Sequence, residues 1–482
     1  MANTDSLSAQ QSKRLSLPGP EPRFYFWFLA VLSAVLIFAP LRAGDLPGYD
    51  DAHYAHIAKE ALLSGHWWSL SSNGWPALEH PPLFIWVQAE LFQWFGFSDT
   101  LARLPSALCG WLIVLLVFWL AQRILDERAA VLAMFVMAGT IYFLKYAARA
   151  MTDVPFTFLG LASLCACLLA DENPRWYLLA GAAAGLAQIT RGLMGVALPL
   201  CFAIDAVVNR RKPPLRFALA TAALTFLPVT VWYGVQFQAH GSDFLPVHMA
   251  WLNREAFGEL SPSWRRYTGA PEYAWMLVKS YWPWLPFMLV GIAAALRERQ
   301  PTVRRALRLL LIWIAAVFVL CAAAKSRVLR YMLPAYPAFA VMASIGIQKL
   351  IPAPHIWKAM RLLAPVAALA VLAIGLFPPK IPHAAETRPM ALAASAATPV
   401  GTRVAFYDQG QPRFDETNQL LWYGSRYLDI LLTPEQLQAK LTEPGPRIFI
   451  VDRATYQSQF ALQRPHQIIA QIGHLVCVRV SV

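Results

Sequence analysis

Eleven apolar runs of 16–23 residues dominate the sequence, at 24–41, 104–122, 129–148, 154–170, 176–191, 193–208, 215–237, 281–296, 307–324, 331–349 and 362–377. An α-helix rises ~1.5 Å per residue, so roughly 20 residues cross a hydrocarbon layer ~30 Å thick. Within lipid a segment must satisfy its own backbone N–H and C=O groups, so runs of this length are expected as helices. Composition agrees. Hydrophobic residues make up 57% of the chain and charged residues 14%, against roughly 45–50% and about 25% in soluble chains. A water-exposed globule could not cover that excess without large apolar patches. A soluble enzyme, a disordered chain and a small disulfide scaffold are therefore excluded. The sequence predicts a multi-span α-helical membrane protein with about 11 transmembrane helices.

Charge orders the loops. The formal net charge is +13, of which only +2 lies in residues 378–482. A basic excess carried by the apolar part points to lipid head groups, phosphate and topology signals, not to nucleic acid. With the N-terminus inside, the inner loops hold 18 Lys and Arg against 13 outside, and the inner set includes the clusters at 210–212 and 297–308. That satisfies the positive-inside rule, and an odd number of spans then puts the tail outside. The outer basic residues oppose the rule, so either an anionic ligand or snorkelling holds them there. The expected organisation is a disordered cytoplasmic N-terminus at 1–22 and a transmembrane region at 23–377, with outer loops at 42–103 and 238–280. A small C-terminal α/β extracytoplasmic domain follows at 378–482. Residues 82–97 are interrupted by Gln88, Glu90 and Gln93 and read as an interfacial helix rather than a span. In the tail, 404–408, 447–452 and 474–480 read as strands. Thr433, Pro434 and Gln436 form the capping box of a helix at 433–441. Cysteine gives no metal or disulfide framework: five of the six lie in apolar runs and Cys477 is alone in the tail.

Five segments could carry chemistry. Asp50 and Asp51 open a helix just after the first span, where acidic residues favour the helix dipole. Asp50, His53 and Tyr54 share one helix face at i, i+3 and i+4, as a general base and its neighbours would. His80 precedes Pro81 and Pro82, which fix the start of the next helix; it could meet a phosphate, or simply be hydrogen-bonded. Arg149 and Asp153, four apart at an outer span edge, form either an ion pair or part of a site. Arg191 ends another span on the same side, and Lys325, Arg327, Arg330 and Tyr331 cluster before a later one. His53 and His56, beside Asp50 and Asp51, could bind a divalent metal, although Asp50 would then lose its basicity. No other cofactor is expected.

In their order along the chain these motifs resemble the GT-C fold membrane glycosyltransferases, specifically the ArnT-like and RgtA/B/C/D-like branch of the protein-O-mannosyltransferase superfamily. The resemblance runs from about residue 24 to 350. It rests on Asp50, Asp51 and Tyr54; on Pro81-Pro82-Leu83; on Arg103-Leu104-Pro105; on Arg149, Thr152 and Asp153; and on Arg330, Tyr331, Leu333 and Pro334. It implies a polyprenyl-phosphate-linked sugar donor used on the periplasmic face of a bacterial inner membrane. It further implies Asp50 as the catalytic carboxylate, Asp153 in support, and Tyr331 with nearby basic residues on the donor phosphate. ArnT-type chains carry Lys before the two prolines and Arg at the position of His53. Here His80 and His53 stand there, which leaves the sugar open.

The chemistry is consistent without the family. Outside the membrane there is no nucleotide sugar, so the donor must be lipid-linked. Displacement at the anomeric carbon expels a polyprenyl phosphate, a weak base that needs positive charge rather than a general acid. Arg191, Lys325, Arg327, Arg330 and His80 are the candidates, and Asp51, His53, Tyr54, Arg149 and Tyr331 complete the substrate-binding set. Asp50 would take the proton of a hydroxyl acceptor in an inverting displacement. The acceptor would be lipid A, an envelope glycan or a protein, the last making it a protein O-mannosyltransferase. The alternative is a transporter or flippase of polyprenyl-linked sugars. Such proteins keep ionisable groups near the midplane, often on repeated helices; here the charges gather at one face and no internal repeat is found.

Overall fold

The computed structural model describes residues 22–42, 44–257, 269–324, 328–377, 382–408, 414–445, 447–460 and 465–480. The expected disordered N-terminus and the site candidates Lys325 and Arg327 lie outside them.

Every apolar run forms helix. The first is α1 (Pro22–Phe38), which tightens into a 3-10 turn at Ala39–Arg42. Outside it lie α2 (Asp50–Ser64), a two-stranded ladder of β1 (Ser71–Ser72) and β2 (Trp75–Pro76), and α3 (Leu83–Phe95). The bundle continues with α4 (Asp99–Ile124), α5 (Glu127–Ala138), α6 (Ile141–Ala147), α7 (Asp153–Leu169), α8 (Trp176–Arg191) and α9 (Ala197–Val208). It is completed by α10 (Leu215–His240), α11 (Phe244–Phe257), α12 (Gly269–Ser280), α13 (Leu285–Leu296), α14 (Pro301–Ala323), α15 (Tyr336–Leu350) and α16 (Ala353–Leu376). Five stretches are long and apolar enough to cross a bilayer, and a sixth qualifies if α5 and α6 count as one span bent by 67°. The run at 129–148 is therefore broken, at Gly139–Thr140, where Thr140 turns its hydroxyl back onto the Val136 carbonyl. α7, α9 and α13 are apolar but shorter.

Small residues let these helices approach, as is usual where hydrophobic burial does not drive association. Gly291 on α13 faces the Met342 carbonyl of α15, and Gly346 on α15 faces the Phe287 carbonyl of α13; a Cβ on either would overlap the opposing backbone. At one end of the bundle Arg211 is buried against Asp205 and Asp171, and its guanidinium donates to the Cys167 carbonyl at the end of α7. This accounts for part of the basic cluster at 210–212 as internal pairing rather than lipid contact.

The other end carries α2, α3 and a second apolar core of Leu46, Ala52, Ile57, Phe84, Phe92 and Trp422. Trp422 belongs to the tail, which builds a five-stranded sheet of β3 (Val404–Tyr407), β4 (Leu428–Leu431), β5 (Arg447–Asp452), β6 (His466–Ile472) and β7 (Leu475–Val480). The order is β4-β3-β5-β7-β6, with β3 parallel to β4 and β5, and β7 antiparallel to β5 and β6. Alternate side chains serve opposite faces. Phe406, Ile448 and Ile450 pack on α17 (Thr387–Ala397) and α18 (Phe414–Tyr423). Tyr407, Phe449 and Val451 pack on α19 (Pro434–Thr442), whose capping box is formed by Thr433 and Gln436 as expected. Two covered faces explain why these strands read as continuous apolar runs.

Candidate active site

Four charged groups from four elements meet at the end of the bundle beneath α2. Asp50 is the first residue of α2, and Asp153 the first of α7. Arg191 is the last residue of α8, and Arg330 sits in a 3-10 turn at Leu329–Ala335. Arg330 Nη2 lies 2.8 Å from Asp50 Oδ2, and its Nε lies 3.9 Å from Asp153 Oδ2. Arg191 Nη1 lies 2.8 Å from the same Asp153 oxygen and donates to Thr152 Oγ1 at 2.8 Å. The order Asp50–Arg330–Asp153–Arg191 is a continuous chain of alternating charge. Neither Asp153 oxygen accepts a well-directed hydrogen bond from a protein donor, although the residue is 2% exposed. Oδ2 is held by its ion pairs, and Oδ1 has no donor among the described residues. The Tyr331 ring lies beneath both guanidiniums, 4.9 Å from Arg191 and 5.7 Å from Arg330.

Asp51 points the other way. It is fully buried and takes two hydrogen bonds from Arg149 Nε, one from Arg149 Nη2 at 2.5 Å and one from the Ala150 N–H at 2.8 Å. The i, i+4 ion pair of Arg149 with Asp153 does not form. That spacing needs a continuous helix, and α6 ends at Ala147 while α7 begins at Asp153. Arg149 in the intervening turn therefore reaches Asp51 instead, tying α2 to the start of α7. Arg103 likewise faces inward, holding the carbonyls of Leu41, Gly44 and Asp45 and so the exit from α1.

The histidines and Tyr54 form an aromatic wall. The His80 ring lies 5.2 Å from His53 and 5.1 Å from Tyr54, and Tyr54 packs edge-on to Phe84 at 5.7 Å. Burial, with His53, Arg191 and His248 nearby, holds His80 well below the usual histidine range. His53 is also held down by burial. Asp50 is pushed up by burial; Arg330 opposes this, and Asp153 and Asp51 add to it. A carboxylate shifted this way is a stronger base than usual.

His53 and His56 do not form a metal pair. His53 Nδ1 is 3.2 Å from Asn418 Oδ1, whereas His56 Nε2 lies 3.1 Å from Glu60 and accepts from the Asn73 N–H. Among the described residues no three His, Cys, Asp or Glu side chains gather as metal ligands. Reading the sequence missed Asn418, a tail residue 365 positions from His53. It also missed Lys59, which donates to the carbonyls of Leu421, Trp422 and Gly424 at the end of α18. Neither residue has a local pattern that marks it.

Comparison with known proteins finds similarity in sequence and in fold. The family described as dolichyl-phosphate-mannose-protein mannosyltransferase matches residues 79–232. ArnT from Cupriavidus metallidurans bound to undecaprenyl phosphate superposes with a TM-score of 0.76 at 19% identity, covering 95% of this chain and 98% of that one. The chain has the fold of these structures, the GT-C fold. An oligosaccharyltransferase of Archaeoglobus fulgidus shares the fold more distantly, with a TM-score of 0.54 at 14% identity over 86% of this chain and 65% of that one. In sequence, the chain is 27% identical over 344 residues to an undecaprenyl phosphate-alpha-4-amino-4-deoxy-L-arabinose arabinosyl transferase of Edwardsiella ictaluri. A protein of the same name from Erwinia tasmaniensis is 26% identical over 369 residues. These matches cover 67% and 73% of this chain and 60% and 65% of the relatives, so the chain spans about two thirds or less of their length.

Proposed function

We propose that this ArnT-like chain is an integral inner-membrane glycosyltransferase that moves a sugar from a polyprenyl phosphate to lipid A or another envelope acceptor. The observation that carries the reading is the Asp50–Arg330–Asp153–Arg191 chain at one end of the bundle. Arg330 and Arg191 take the phosphate of the donor, with Tyr331 beneath them. The acceptor oxygen bonds to the anomeric carbon as the carbon–oxygen bond to phosphate breaks. The polyprenyl phosphate leaves with that electron pair and its charge is met by the two guanidiniums. Asp50 receives the acceptor's hydroxyl proton, and Asp153 Oδ1 orients donor or acceptor hydroxyls. The anomeric centre inverts.

The chain spans the membrane with its eleven apolar segments, and the site and the tail domain at 378–482 are periplasmic. In support, α7 has 17 residues and runs from Asp153 to the end held by Arg211. At ~1.5 Å per residue it is about 25 Å long, close to the hydrocarbon thickness. The two charged clusters thus fall one at each boundary. A protein acceptor is the second reading, favoured by the description of the family that matches residues 79–232.

The test is transfer by the purified full chain in detergent. The donors are undecaprenyl-phosphate 4-amino-4-deoxy-L-arabinose and polyprenyl-phosphate mannose, and the acceptor is lipid A, with products read by mass spectrometry. Transfer from either donor is expected, with Asp50→Asn reduced ~10²–10⁴-fold in kcat, the range of general-base catalysis. No product from either donor, or full turnover by Asp50→Asn, overturns the assignment.

A further inference from the structure

The segment that presents Asp50 is gripped from outside the bundle by one helix of the tail. Between Leu46 and His53, α18 holds the chain at four points. Leu46 donates its N–H to Tyr423 Oη at 2.7 Å, and its carbonyl accepts from Gln419 Nε2 at 2.9 Å. The Tyr49 carbonyl accepts from Asn418 Nδ2 at 3.2 Å, and Asn418 Oδ1 faces His53 Nδ1 at 3.2 Å. The approach is close enough that a Cβ at Gly48 would overlap the Asp415 backbone. Tyr49, the residue before Asp50, gives α2 no side-chain cap. The backbone on which Asp50 sits is therefore held by α18 as well as by the first hydrogen bonds of α2 and the Asp51–Arg149 pair.

The Asn418 contacts also decide a proton position. The Tyr49 carbonyl can only accept, so the amide must turn its NH₂ toward it. The amide oxygen then faces His53, so Nδ1 carries the hydrogen of the neutral ring and Nε2 carries the lone pair. Nε2 has no protein partner among the described residues. The groups facing the His53 ring are Asp50 and Tyr54 on its own helix, Glu79 and His80 from the segment before α3, and Asn418. An acceptor nitrogen held next to Asp50 can take a hydrogen bond from a substrate hydroxyl, which a ring in the other neutral tautomer would meet with its N–H.

The geometry points to Asn418 as a positioning residue for transfer: from the tail it locks His53 as an Nε2 acceptor and fixes Tyr49, and with it the Asp50 carboxylate. This rests on the glycosyl-transfer reading above. The experiment is steady-state kinetics of the full chain with whichever of the two donors above the wild type uses. Asn418→Ala is expected to lower kcat at least ~10-fold, as sub-ångström misplacement of reacting groups does, with the donor KM within about threefold. Asn418→Asp keeps the oxygen that accepts from Nδ1, and retains several-fold more turnover than Asn418→Ala. In a double-mutant cycle, His53→Ala combined with Asn418→Ala loses less than the product of the two single losses, because the two act in part through one ring. Thermal unfolding of each variant separates these effects from loss of fold. If Asn418→Ala does not fold, the folded Asn418→Asp takes its place in the cycle with His53→Ala, and fully additive losses there overturn the proposal. Wild-type kcat in a folded Asn418→Ala, or fully additive losses in the cycle, also overturns it. A wild type inactive with both donors would instead defeat the glycosyl-transfer reading itself.

Discussion

Two arginines that pair with adjacent carboxylates of α2 should respond in opposite ways to one substitution. Arg330 is 18% exposed at its side chain, pairs with Asp50 at 2.8 Å and reaches Asp153 at 3.9 Å. Arg149 is 24% exposed and spends its guanidinium on Asp51, which is fully buried. Arg330→Met removes one charged hydrogen-bond donor from the proposed phosphate. Such a bond contributes ~1.5–3 kcal/mol, and ~1.4 kcal/mol is tenfold, so undecaprenyl phosphate should bind roughly 10- to 100-fold more weakly. Stability should fall less than in Arg149→Met, because Arg191 still holds Asp153 and Asp50 is one-fifth exposed. Arg149→Met strands the buried Asp51 carboxylate. Breaking a buried pair costs ~3–5 kcal/mol out of a typical ~5–15 kcal/mol, so the fold should be severely destabilised while the folded fraction binds donor normally. Replacing both partners, Arg149→Met with Asp51→Leu, should recover much of that loss. Titration of undecaprenyl phosphate into detergent-solubilised protein gives the affinities, and tryptophan-monitored unfolding gives the stabilities. Equal loss of donor affinity in both variants, or unchanged affinity in Arg330→Met, would refute the division of labour.

Three further outcomes follow from the same contacts. The acidic limb of the kcat profile should lie at higher pH than that of kcat/KM: Asp50 must be ionised to act, Arg330 lowers its pKa in the free enzyme, and donor phosphate draws that guanidinium away. A kcat limb at or below the kcat/KM limb in pH–rate measurements would contradict this. Lys59→Met should loosen the tail, since Lys59 holds three carbonyls at the end of α18; limited proteolysis should then cut between α16 and α17 sooner than in wild type, while an unchanged cleavage rate would count against that anchor. Gly291→Val should destabilise the bundle by at least ~1–3 kcal/mol, the usual penalty of overpacking, because its Cβ would meet the Met342 carbonyl; an unshifted melting temperature would count against the packing.

What could be read from the sequence divides along physical lines. The apolar runs announce themselves because lipid imposes length and composition on each segment separately. Strands 404–407, 447–452 and 475–480 were legible because both of their faces are covered. The strands Leu428–Leu431 and His466–Ile472 lie at the edges of the sheet, where half-exposed polar side chains break the apolar pattern. At the site, Asp50, Asp153, Arg191 and Arg330 were legible because charge at a membrane boundary is costly and conspicuous. Their pairing was not, since the partner of Arg149 depends on a turn at 148–152 that no spacing rule anticipates. Asn418 could not be found at all: an Asn on a polar helix carries no signal until the fold brings it to His53.

The alternation of charge at the site is itself an argument about how it works. Two guanidiniums side by side in a poorly hydrated pocket would repel each other and cost several kcal/mol to hold, whereas Asp50 and Asp153 interleaved with Arg330 and Arg191 make the four formally neutral. The arginines are thus preorganised without a ligand, and their reorganisation is not charged to the reaction. The same arrangement couples binding to basicity. In the proposed reaction a donor phosphate would compete with Asp50 for Arg330, removing a cation from beside Asp50 and bringing an anion near it. Both changes would raise the proton affinity of Asp50 at the moment an acceptor hydroxyl needs deprotonating. Asp153, kept on Arg191 and at the start of α7, stays anchored while this happens. One carboxylate is exchanged and the other holds the frame, which gives two acidic residues in one pocket different tasks without different chemistry.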